Sequence, residues 1–207
     1  MKKLSRKTIE RTLLYVRALE GLIKAKQNLV SSRQLAQILG STDVQIRKEI
    51  SNFGKVGRPR VGYDTAELKR VLQDYLLQGK IVRVVLFGVG NLGRAILRYP
   101  GFHRGHVKLV AAFDQDPKTV GRIVEGIRVY SIDQAPDLMK KVRADIGIIA
   151  VPEDSCQAVA DLAVLSGLRG IVNFAPKSVS VPKNVFVSDI DLTIEFLSLY
   201  CDIRFRG

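Results

Sequence analysis

A glycine-rich turn follows directly after an apolar run, and this pair constrains the fold more than any other feature. The turn is Gly88-Val89-Gly90-Asn91-Leu92-Gly93, and the apolar run occupies residues 81–87. In a dinucleotide-binding turn, the first glycine permits the bend after a strand, the second lets the backbone approach a pyrophosphate, and the third lets the next helix pack on the sheet. The helix N-terminus then presents unpaired N–H groups to the phosphates. We therefore expect a strand, a phosphate-binding turn and a helix here.

Short apolar segments alternate with helical patterns from Ile81 onward, as a parallel sheet requires. The predicted strands are 81–87, 107–113, 128–131, 145–151, 170–174 and 185–187, and the predicted helices between them are 91–99, 132–142 and 153–167. A last, amphipathic helix is predicted from Asp189 to Ile203. The fold class expected for this part is α/β, with a Rossmann-type parallel sheet.

Candidate binding residues stand at the carboxyl ends of the predicted strands, because ligands of open α/β sheets collect there. Asp114 ends the second strand, where a carboxylate can bind both hydroxyls of an adenosine ribose and repels a 2′-phosphate, so NAD is favoured over NADP. Asp116 and Lys118 can continue the adenosine pocket, although Asp116 can equally be a turn residue. The later strand-end loops either face the nicotinamide or simply end strands with proline; they contain Val151, Pro152, Asn173, Phe174 and Ala175.

Catalytic groups for a dehydrogenase are hard to find in this chain. Its two histidines, His103 and His106, precede the second predicted strand, at the end of the sheet that is usually opposite the cofactor. Sheet positions occupy nearly all residues after 80, which leaves no room for a substrate domain. We expect a protein that senses the nucleotide rather than an enzyme. The alternatives are an NAD-dependent oxidoreductase with a basic accessory domain and a regulator of another adenine ligand, such as CoA or ADP.

Positive charge is concentrated before the sheet. Residues 1–80 contain 17 Lys and Arg against 7 Asp and Glu, a net charge of +10, whereas residues 81–207 carry only +3 of the total of +13. A basic module attracts polyanions, and the nucleic-acid backbone is the commonest such partner. The alternative is a solvated charged face that aids solubility.

The basic module contains a helix-turn-helix candidate. Apolar spacing predicts a first helix over 6–25; a second helix begins after Ser31 or Ser32 and ends at Gly40. A third helix over 44–52 follows a compact turn, with Val44, Ile46 and Ile50 available for the core. The alternative for this third helix is a polar surface helix.

Side chains suited to DNA lie on the third helix and after it. Gln and Asn can bind adenine, Arg can bind guanine, and Lys and Ser can bind phosphates. The stretch 54–63 is rich in glycine and basic residues and predicts a β-hairpin wing along the phosphates or minor groove. The predicted DNA-binding residues are Ser32, Gln45, Arg47, Lys48, Ser51, Asn52, Lys55, Arg58 and Arg60.

The remaining features set the boundaries and the compartment. Asp64 is expected to cap a fourth helix over 65–78, and Gly79-Lys80 is the expected domain boundary. No apolar stretch approaches the roughly 20 residues of a membrane span, so the cytoplasm is the expected location. Cys156 and Cys201 lack metal-ligand spacing and are expected to be packing residues, so no metal site is predicted.

Taken together, these motifs resemble the Rex family of redox-sensing transcriptional repressors over almost the whole chain. The matching segments in the first 80 residues are Leu14-Tyr15-Val16-Arg17, Val44-Gln45-Ile46-Arg47-Lys48-Glu49 and 51–54. Those in the sheet are Gly88-Val89-Gly90-Asn91-Leu92-Gly93-Arg94, Phe113-Asp114-Gln115-Asp116-Pro117 with Val120-Gly121, and Asn173-Phe174-Ala175-Pro176.

The resemblance implies a homodimer that binds palindromic operator DNA and is released when NADH occupies its Rossmann domains. It implies three segments: a winged-helix DNA-binding domain (1–80), a Rossmann NAD(H)-binding domain (81–188) and a C-terminal helix (189–207) exchanged between subunits. Family positions near the nicotinamide match Tyr99 and, from the exchanged helix, Asp191; Arg17 matches an arginine linked to them. Because nicotinamide is cationic in NAD+ and neutral in NADH, a local charge network can distinguish the two.

The chain departs from the family pattern at three sites, one of which is a pair of residues. The wing usually has an Arg-Gly pair where this chain has Pro59-Arg60. The aromatic residue after the recognition helix is replaced by Asn52, and the aromatic residue that often follows the aspartate of the exchanged helix is replaced by Leu192.

Overall fold

The fold was obtained as a computed structural model that describes residues 4–102 and 105–206, so His103 lies outside the described residues. Contacts divide the chain into two units, residues 1–80 and residues 81–207. Each unit has its own buried apolar core.

The N-terminal unit consists of helices and one short strand pair. Its elements are α1 (Arg6–Lys24), β1 (Leu29–Val30), α2 (Ser32–Leu39), α3 (Asp43–Ser51), β2 (Tyr63–Asp64) and α4 (Thr65–Leu77). Side-chain oxygens of Ser5, Ser31, Thr42 and Asp64 cap the four helices by accepting hydrogen bonds from first-turn N–H groups. Gly40 ends α2 in the left-handed conformation, which lets α3 follow after a tight turn. This is the predicted helix-turn-helix arrangement.

The core of this unit corrects one expectation about α3. Ile46 and Ile50 are buried against Leu19, Leu35 and Leu68, as their spacing predicts. Val44, which was expected to join them, is 63% exposed. Residues one helical turn apart share a face, whereas a residue two positions before Ile46 points to the other side of the helix.

The predicted wing hairpin is also different in the structure. Residues 54–62 form a loop closed by a single antiparallel bridge between Arg58 and Gly62, while Tyr63 pairs with Val30 of β1. At the tip, the N–H of Val61 donates to the carbonyl of Arg58 at 3.1 Å, and Arg60 has φ +64°. Proline followed by a residue with positive φ is the pattern of a type II turn. Pro59-Arg60 is therefore a tight turn in which arginine occupies the position that usually favours glycine.

The C-terminal unit is a Rossmann-type α/β sheet. Its elements are β3 (Val82–Phe87), α5 (Asn91–Arg98), β4 (Val107–Asp114), β5 (Ile123–Val124), β6 (Ile127–Ser131), α6 (Ala135–Val142), β7 (Ile146–Ile149), α7 (Glu153–Leu165), β8 (Gly170–Asn173), β9 (Phe186–Asp189) and α8 (Leu192–Arg206). Short 3-10 turns occupy Pro100–Phe102 and Ile132–Gln134. The strand order is β5-β6-β4-β3-β7-β8-β9, and every described pair is parallel except β5 with β6. The antiparallel edge strand β5 was not predicted.

The two faces of this sheet are covered unequally. On one face, Phe87, Phe113 and Ile149 pack with Met139 of α6 and Ala160 of α7. On the other face the described cover comes from α5 and the turn after it, which pack on Leu86, Leu109 and Ala112. The side of β7 and β8 on this second face is left largely open.

The last helix corrects the prediction of an amphipathic helix that begins at Asp189. Asp189 ends β9, and α8 begins at Leu192. None of the residues of α8 is buried, and its exposed apolar side chains include Phe196, Tyr200 and Phe205. The polar residues Glu195, Ser198, Asp202 and Arg206 repeat at helical spacing and form one stripe. Thr193 and Arg204 lie apart from it, and apolar side chains occupy the rest of the helix surface.

Candidate functional site

A basic groove lies between the third helix and the wing loop. Its volume is about 780 Å³. It brings together the following predicted DNA-binding residues: Ser32, Arg47, Ser51, Lys55, Arg58 and Arg60. Gln45, Lys48 and Asn52 are exposed on α3 or directly after it but do not line this groove. Among the residues that the structure describes, no carboxylate forms an ion pair with Lys48, Lys55, Arg58 or Arg60.

Arg47 is oriented by two hydrogen bonds at the edge of the groove. Its Nη1 donates to Asp43 Oδ2 at 2.7 Å and to Ser32 Oγ at 3.1 Å. The Arg47 hydrogen bond holds the pKa of Asp43 below its ordinary value. About half of the Arg47 side chain remains exposed, so donors of its guanidinium are free to reach a ligand.

A partly buried polar cluster fixes α3 against α1. The Glu49 carboxylate accepts hydrogen bonds from Tyr15 Oη, from Arg11 Nε at 3.0 Å and from Gln45 Nε2 at 3.0 Å. Burial disfavours the ionised form of Glu49, but these hydrogen bonds outweigh burial and leave its pKa below the ordinary value. Burial, followed by the hydrogen bond to Glu49, raises the pKa of Tyr15 to about 12. Gln45 Oε1 also accepts from Ser41 Oγ at 3.2 Å, so this predicted base contact is held by the same cluster.

Five of the predicted nucleotide residues meet in a second cavity, at the carboxyl ends of β3, β4 and β7. Its volume is about 210 Å³. The predicted residues in its wall are Gly88, Gly90, Asp114, Val151 and Pro152. The remaining wall residues are Phe113, Gln115, Ile132, Ala150, Ser155 and Val159. Ser155 and Ile132 were missed because they lie near the starts of later helices, where no local motif marks them.

The three glycines of the turn differ in what requires them. Gly88 has φ +92°, and a Cβ there would lie 2.5 Å from the carbonyl oxygen of Ala150. A Cβ at Gly93 would overlap the carbonyl oxygen of Gly88, so α5 can approach the turn only with glycine here. At Gly90, by contrast, a Cβ would meet no atom within 4 Å. The protein itself therefore does not require glycine at position 90.

The backbone at the start of α5 is suited to an anion. Gly90 occupies the N-cap position, and no side chain caps the helix. The first N–H groups of a helix and its dipole attract negative charge, particularly that of a phosphate. Val89 is buried in the core, so its contribution to a ligand is limited to its backbone. Asn91 and Leu92 are exposed in the first turn of α5.

The two aspartates after β4 have different surroundings. Asp114 Oδ2 accepts from the N–H of Val89 at 2.7 Å, and Oδ1 accepts from the N–H of Asp116 at 2.9 Å. These bonds place the Asp114 carboxylate beside the glycine turn, and each oxygen keeps a lone pair for a further donor. Asp116 instead accepts from the N–H of Lys118 at 2.9 Å, which is the geometry of a turn residue. Asp116 and Lys118 do not line the cavity.

The other predicted nucleotide and switch residues lie elsewhere. Ala175 and Asn173 are buried, and Asp191 caps α8 by accepting from the N–H of Thr193 at 2.8 Å. Tyr99 and Phe174 line a third, apolar groove rather than the cavity. Arg17 is exposed on α1, which belongs to the N-terminal unit.

The apolar groove was not predicted from the sequence. It exists because no described helix of the sheet unit covers this side of β7 and β8. It occupies about 490 Å³ over the open part of the sheet. Its wall consists of Val82, Val84, Ala95, Ile96, Tyr99, Phe102, Val107, Ile146, Ile148, Val172 and Phe174. Alternate residues of β7 and β8 on this face are apolar. This alternation in the sequence indicates that a second layer packs on this face of the sheet.

In 4–102 and 105–206, no group of three or more His, Cys, Asp and Glu side chains is placed to hold a metal ion. Within the same ranges, no helix has the length and apolar character needed to cross a bilayer.

The fold and its sites define a two-part class of protein, in which a helix-turn-helix unit of the DNA-binding type precedes a Rossmann-type sheet. Residues 3–51 match a family model described as the N-terminus of putative DNA-binding proteins, and residues 79–177 match a model described as a CoA binding domain. The chain is 38% identical over 198 residues to the redox-sensing transcriptional repressor Rex of Thermosipho africanus, covering 96% of this chain and 95% of the relative. With the Rex protein of Clostridium acetobutylicum, it is 35% identical over 200 residues, covering 97% and 94%.

Solved structures give the same result. The chain is similar to RSP in complex with β-NAD+ and operator DNA, with a TM-score of 0.88, 32% identity and coverage of 98% of this chain and 94% of that one. For RSP in complex with β-NADH the TM-score is 0.85, the identity is 31%, and the coverage is 98% and 95%. The chain belongs to the Rex family of redox-sensing transcriptional repressors. The predicted family and the predicted fold class are confirmed.

The polar cluster around Glu49 predicts a pH-dependent stability. The folded-state pKa of Glu49 is depressed, so its contribution is present above the ordinary value of 4.5 and is lost as the pH falls through the folded value. Glu49→Gln should lower the free energy of unfolding at pH 7 by about 1–3 kcal/mol and weaken this acid dependence. Urea unfolding from pH 7 to pH 3 measures both effects. Glu10→Gln is the control, because Glu10 forms only an exposed pair with Arg6; equal effects would contradict the assignment.

The glycine turn predicts opposite outcomes for two alanine variants. Gly93→Ala forces Cβ against the turn backbone and should lower the free energy of unfolding by about 1–3 kcal/mol or more. Gly90→Ala should change it by less than about 1 kcal/mol, because the added methyl enters open space at a helix cap. Thermal and urea unfolding distinguish the two variants. An equal loss of stability in both would show that Gly90 is required by the fold.

Proposed function

We propose that the chain is a redox-sensing transcriptional repressor that binds palindromic operator DNA as a homodimer and leaves it when NADH occupies its Rossmann domains. One observation carries the proposal: the same chain has a basic groove beside a helix-turn-helix and a glycine turn that is open to a ligand. Within the described residues, Lys55, Arg58 and Arg60 of this groove have no carboxylate partner. Its Rex relatives are named as redox-sensing transcriptional repressors, and RSP was solved with operator DNA and with each redox form of the dinucleotide. The proposed activity is binding, with no reaction on the nucleotide.

In this proposal the DNA contacts come from α3 and the wing loop. Gln45, Arg47 and Asn52 reach base edges, while Lys48 and Ser51 bind the backbone nearby. Lys55, Arg58 and Arg60 extend along a phosphate strand or a minor groove. Ser32 supports Arg47 through the hydrogen bond described above.

The dinucleotide occupies the cavity at the strand ends. The open backbone around Gly90 and the uncapped N-terminus of α5 fit a pyrophosphate, and the lone pairs of Asp114 fit the ribose hydroxyls. When bound, the nicotinamide supplies the charge difference between the two redox forms, because it is cationic only in NAD+. The protein residues that we propose to respond to this charge are Asp191 of the partner's exchanged helix, Tyr99 and Arg17.

The homodimer is supported by two exposed apolar surfaces within the sheet unit. The groove beside Tyr99 and Phe174 is open, and α8 exposes its apolar side chains. A helix from a second copy can lie in the groove, which removes both surfaces from water. We propose that α8 is exchanged in this way, and that the repressor acts in the cytoplasm.

One experiment tests the whole proposal. Operator binding by the purified protein is measured without nucleotide, with NAD+ and with NADH at a fixed salt concentration. NADH should weaken binding by about 5-fold to 150-fold, the usual range of allosteric coupling. NAD+ should have a smaller effect. Operator binding that is unaffected by NADH would overturn the proposal.

Arg47→Ala should weaken operator binding by about 1–3 kcal/mol, because it removes a bidentate donor from the groove. Arg70→Ala is the matched control, since it removes the same charge from an exposed position on α4 outside the groove. Electrophoretic mobility shifts at equal salt measure both variants. The assignment fails if the two variants bind the operator equally well.

Asp114→Ala should abolish measurable NADH binding while the protein remains folded. The carboxylate also accepts two backbone hydrogen bonds, so unfolding must be measured on the same sample. The alternative is that the sheet binds another adenine ligand, because residues 79–177 match a family model described as a CoA binding domain. Competition of NADH with CoA and ADP for the parent protein tests this alternative. Tighter binding of CoA than of NADH would favour that alternative.

A further inference from the structure

A buried amide connects the loop after β8 to the segment that leads into α8. Asn173 ends β8 and is fully buried. Its Nδ2 donates to Asp189 Oδ1 at 2.8 Å and to the carbonyl of Lys177 at 2.8 Å, while its Oδ1 accepts from the N–H of Ala175 at 3.0 Å. Both donors and one acceptor of the amide are therefore used within the protein.

Asp189 joins this cluster from the last strand. It pairs with Asn173 in the parallel register of β8 and β9, and the N–H of Ile190 donates to the Asn173 carbonyl at 2.8 Å. The second carboxylate oxygen of Asp189 accepts from Ser178 Oγ at 3.4 Å. The contact between Asn173 and Asp189 thus consists of both backbone and side-chain hydrogen bonds.

The cluster lies next to both the apolar groove and the start of α8. Phe174, the next residue after Asn173, lines the apolar groove in which a second copy of α8 is proposed to lie. Asp191, two residues after Asp189, caps α8. The loop at the carboxyl end of β8 is also where a ligand of the sheet would lie. The cluster therefore joins this loop to the segment from which α8 begins.

We infer that the hydrogen bond between Asn173 and Asp189 is a positioning contact. When a nucleotide binds at the sheet and shifts the β8 loop, this bond passes the shift to the point where α8 leaves the sheet. The inference rests on the proposed function, because it assumes NADH binding at the sheet and assembly through α8. Buried amides in proteins are satisfied by fixed partners, and leaving one donor unpaired loosens the geometry that it held. Neither residue touches the ligand in this role, so both are positioning residues.

Asp189→Ala tests the inference, because Asp189 is exposed and its loss removes only the side-chain part of the contact. The measured quantity is the ratio of the operator Kd with saturating NADH to the Kd without it. We expect Asp189→Ala to bring this ratio down to about 1–2, from the roughly 5-fold to 150-fold range expected of the parent. The Kd for NADH and the nucleotide-free operator Kd should each stay within about 2-fold of the parent.

Two further variants distinguish positioning from a structural effect. Asp189→Asn keeps an acceptor for Asn173 and should restore the parental ratio. Ser188→Ala is the matched control, since Ser188 is the preceding residue of β9 and points to the other face of the sheet. Thermal unfolding and light scattering on every variant report stability and assembly.

The outcomes separate the inference from the function on which it rests. A parent protein whose operator binding ignores NADH overturns the proposed function and the inference together. A parent that responds, alongside an Asp189→Ala variant that responds equally, overturns the inference alone. Loss of dimerisation or of NADH binding in Asp189→Ala also overturns it, because the contact would then serve assembly or binding rather than transmission.

Discussion

The contact between Gly93 and the Gly88 carbonyl holds the sheet unit together at its functional end. Because no side chain separates them, α5 begins directly on the turn, and its free N–H groups face the carboxyl ends of the central strands. The same approach places the Val89 N–H beside Asp114, which joins the turn to the end of β4. These two contacts fix the glycine-turn wall of the cavity, and side chains that include Ile132, Val151 and Ser155 complete the rest.

In the N-terminal unit, polar side chains hold the third helix in place. Glu49 receives hydrogen bonds from Tyr15 and Arg11 of α1, and a third from Gln45 on its own helix. The position of α3 thus depends on α1, and a predicted base contact depends on both. Side chains that are fixed in this way before binding lose little entropy when a ligand binds.

Much of this was predictable because it depends on local rules. The glycine turn, the Ser31 and Asp64 caps and the left-handed Gly40 all follow from neighbouring residues. The expectations that failed concern distant partners or geometry along one helix. The wing was expected to be a β-hairpin, but only the bridge between Arg58 and Gly62 pairs within it. Tyr63 pairs instead with Val30, a long-range contact that no local pattern reveals. Val44 was assigned to the core from its apolarity, although the Ile46 and Ile50 face already defined the buried side. The open groove depends on which strands remain uncovered, and only the assembled sheet shows this.

The exposed apolar surface of α8 also has a consequence for how the stability of the protein depends on its concentration. If this helix is buried only by a second copy, the folded state gains free energy from mass action, and its stability rises with protomer concentration. At low abundance, single chains would expose Phe196, Tyr200 and Phe205 to water, and such chains are lost to proteolysis and aggregation. Such a regulator would have a lower limit on its own copy number, independent of the redox state that it reads.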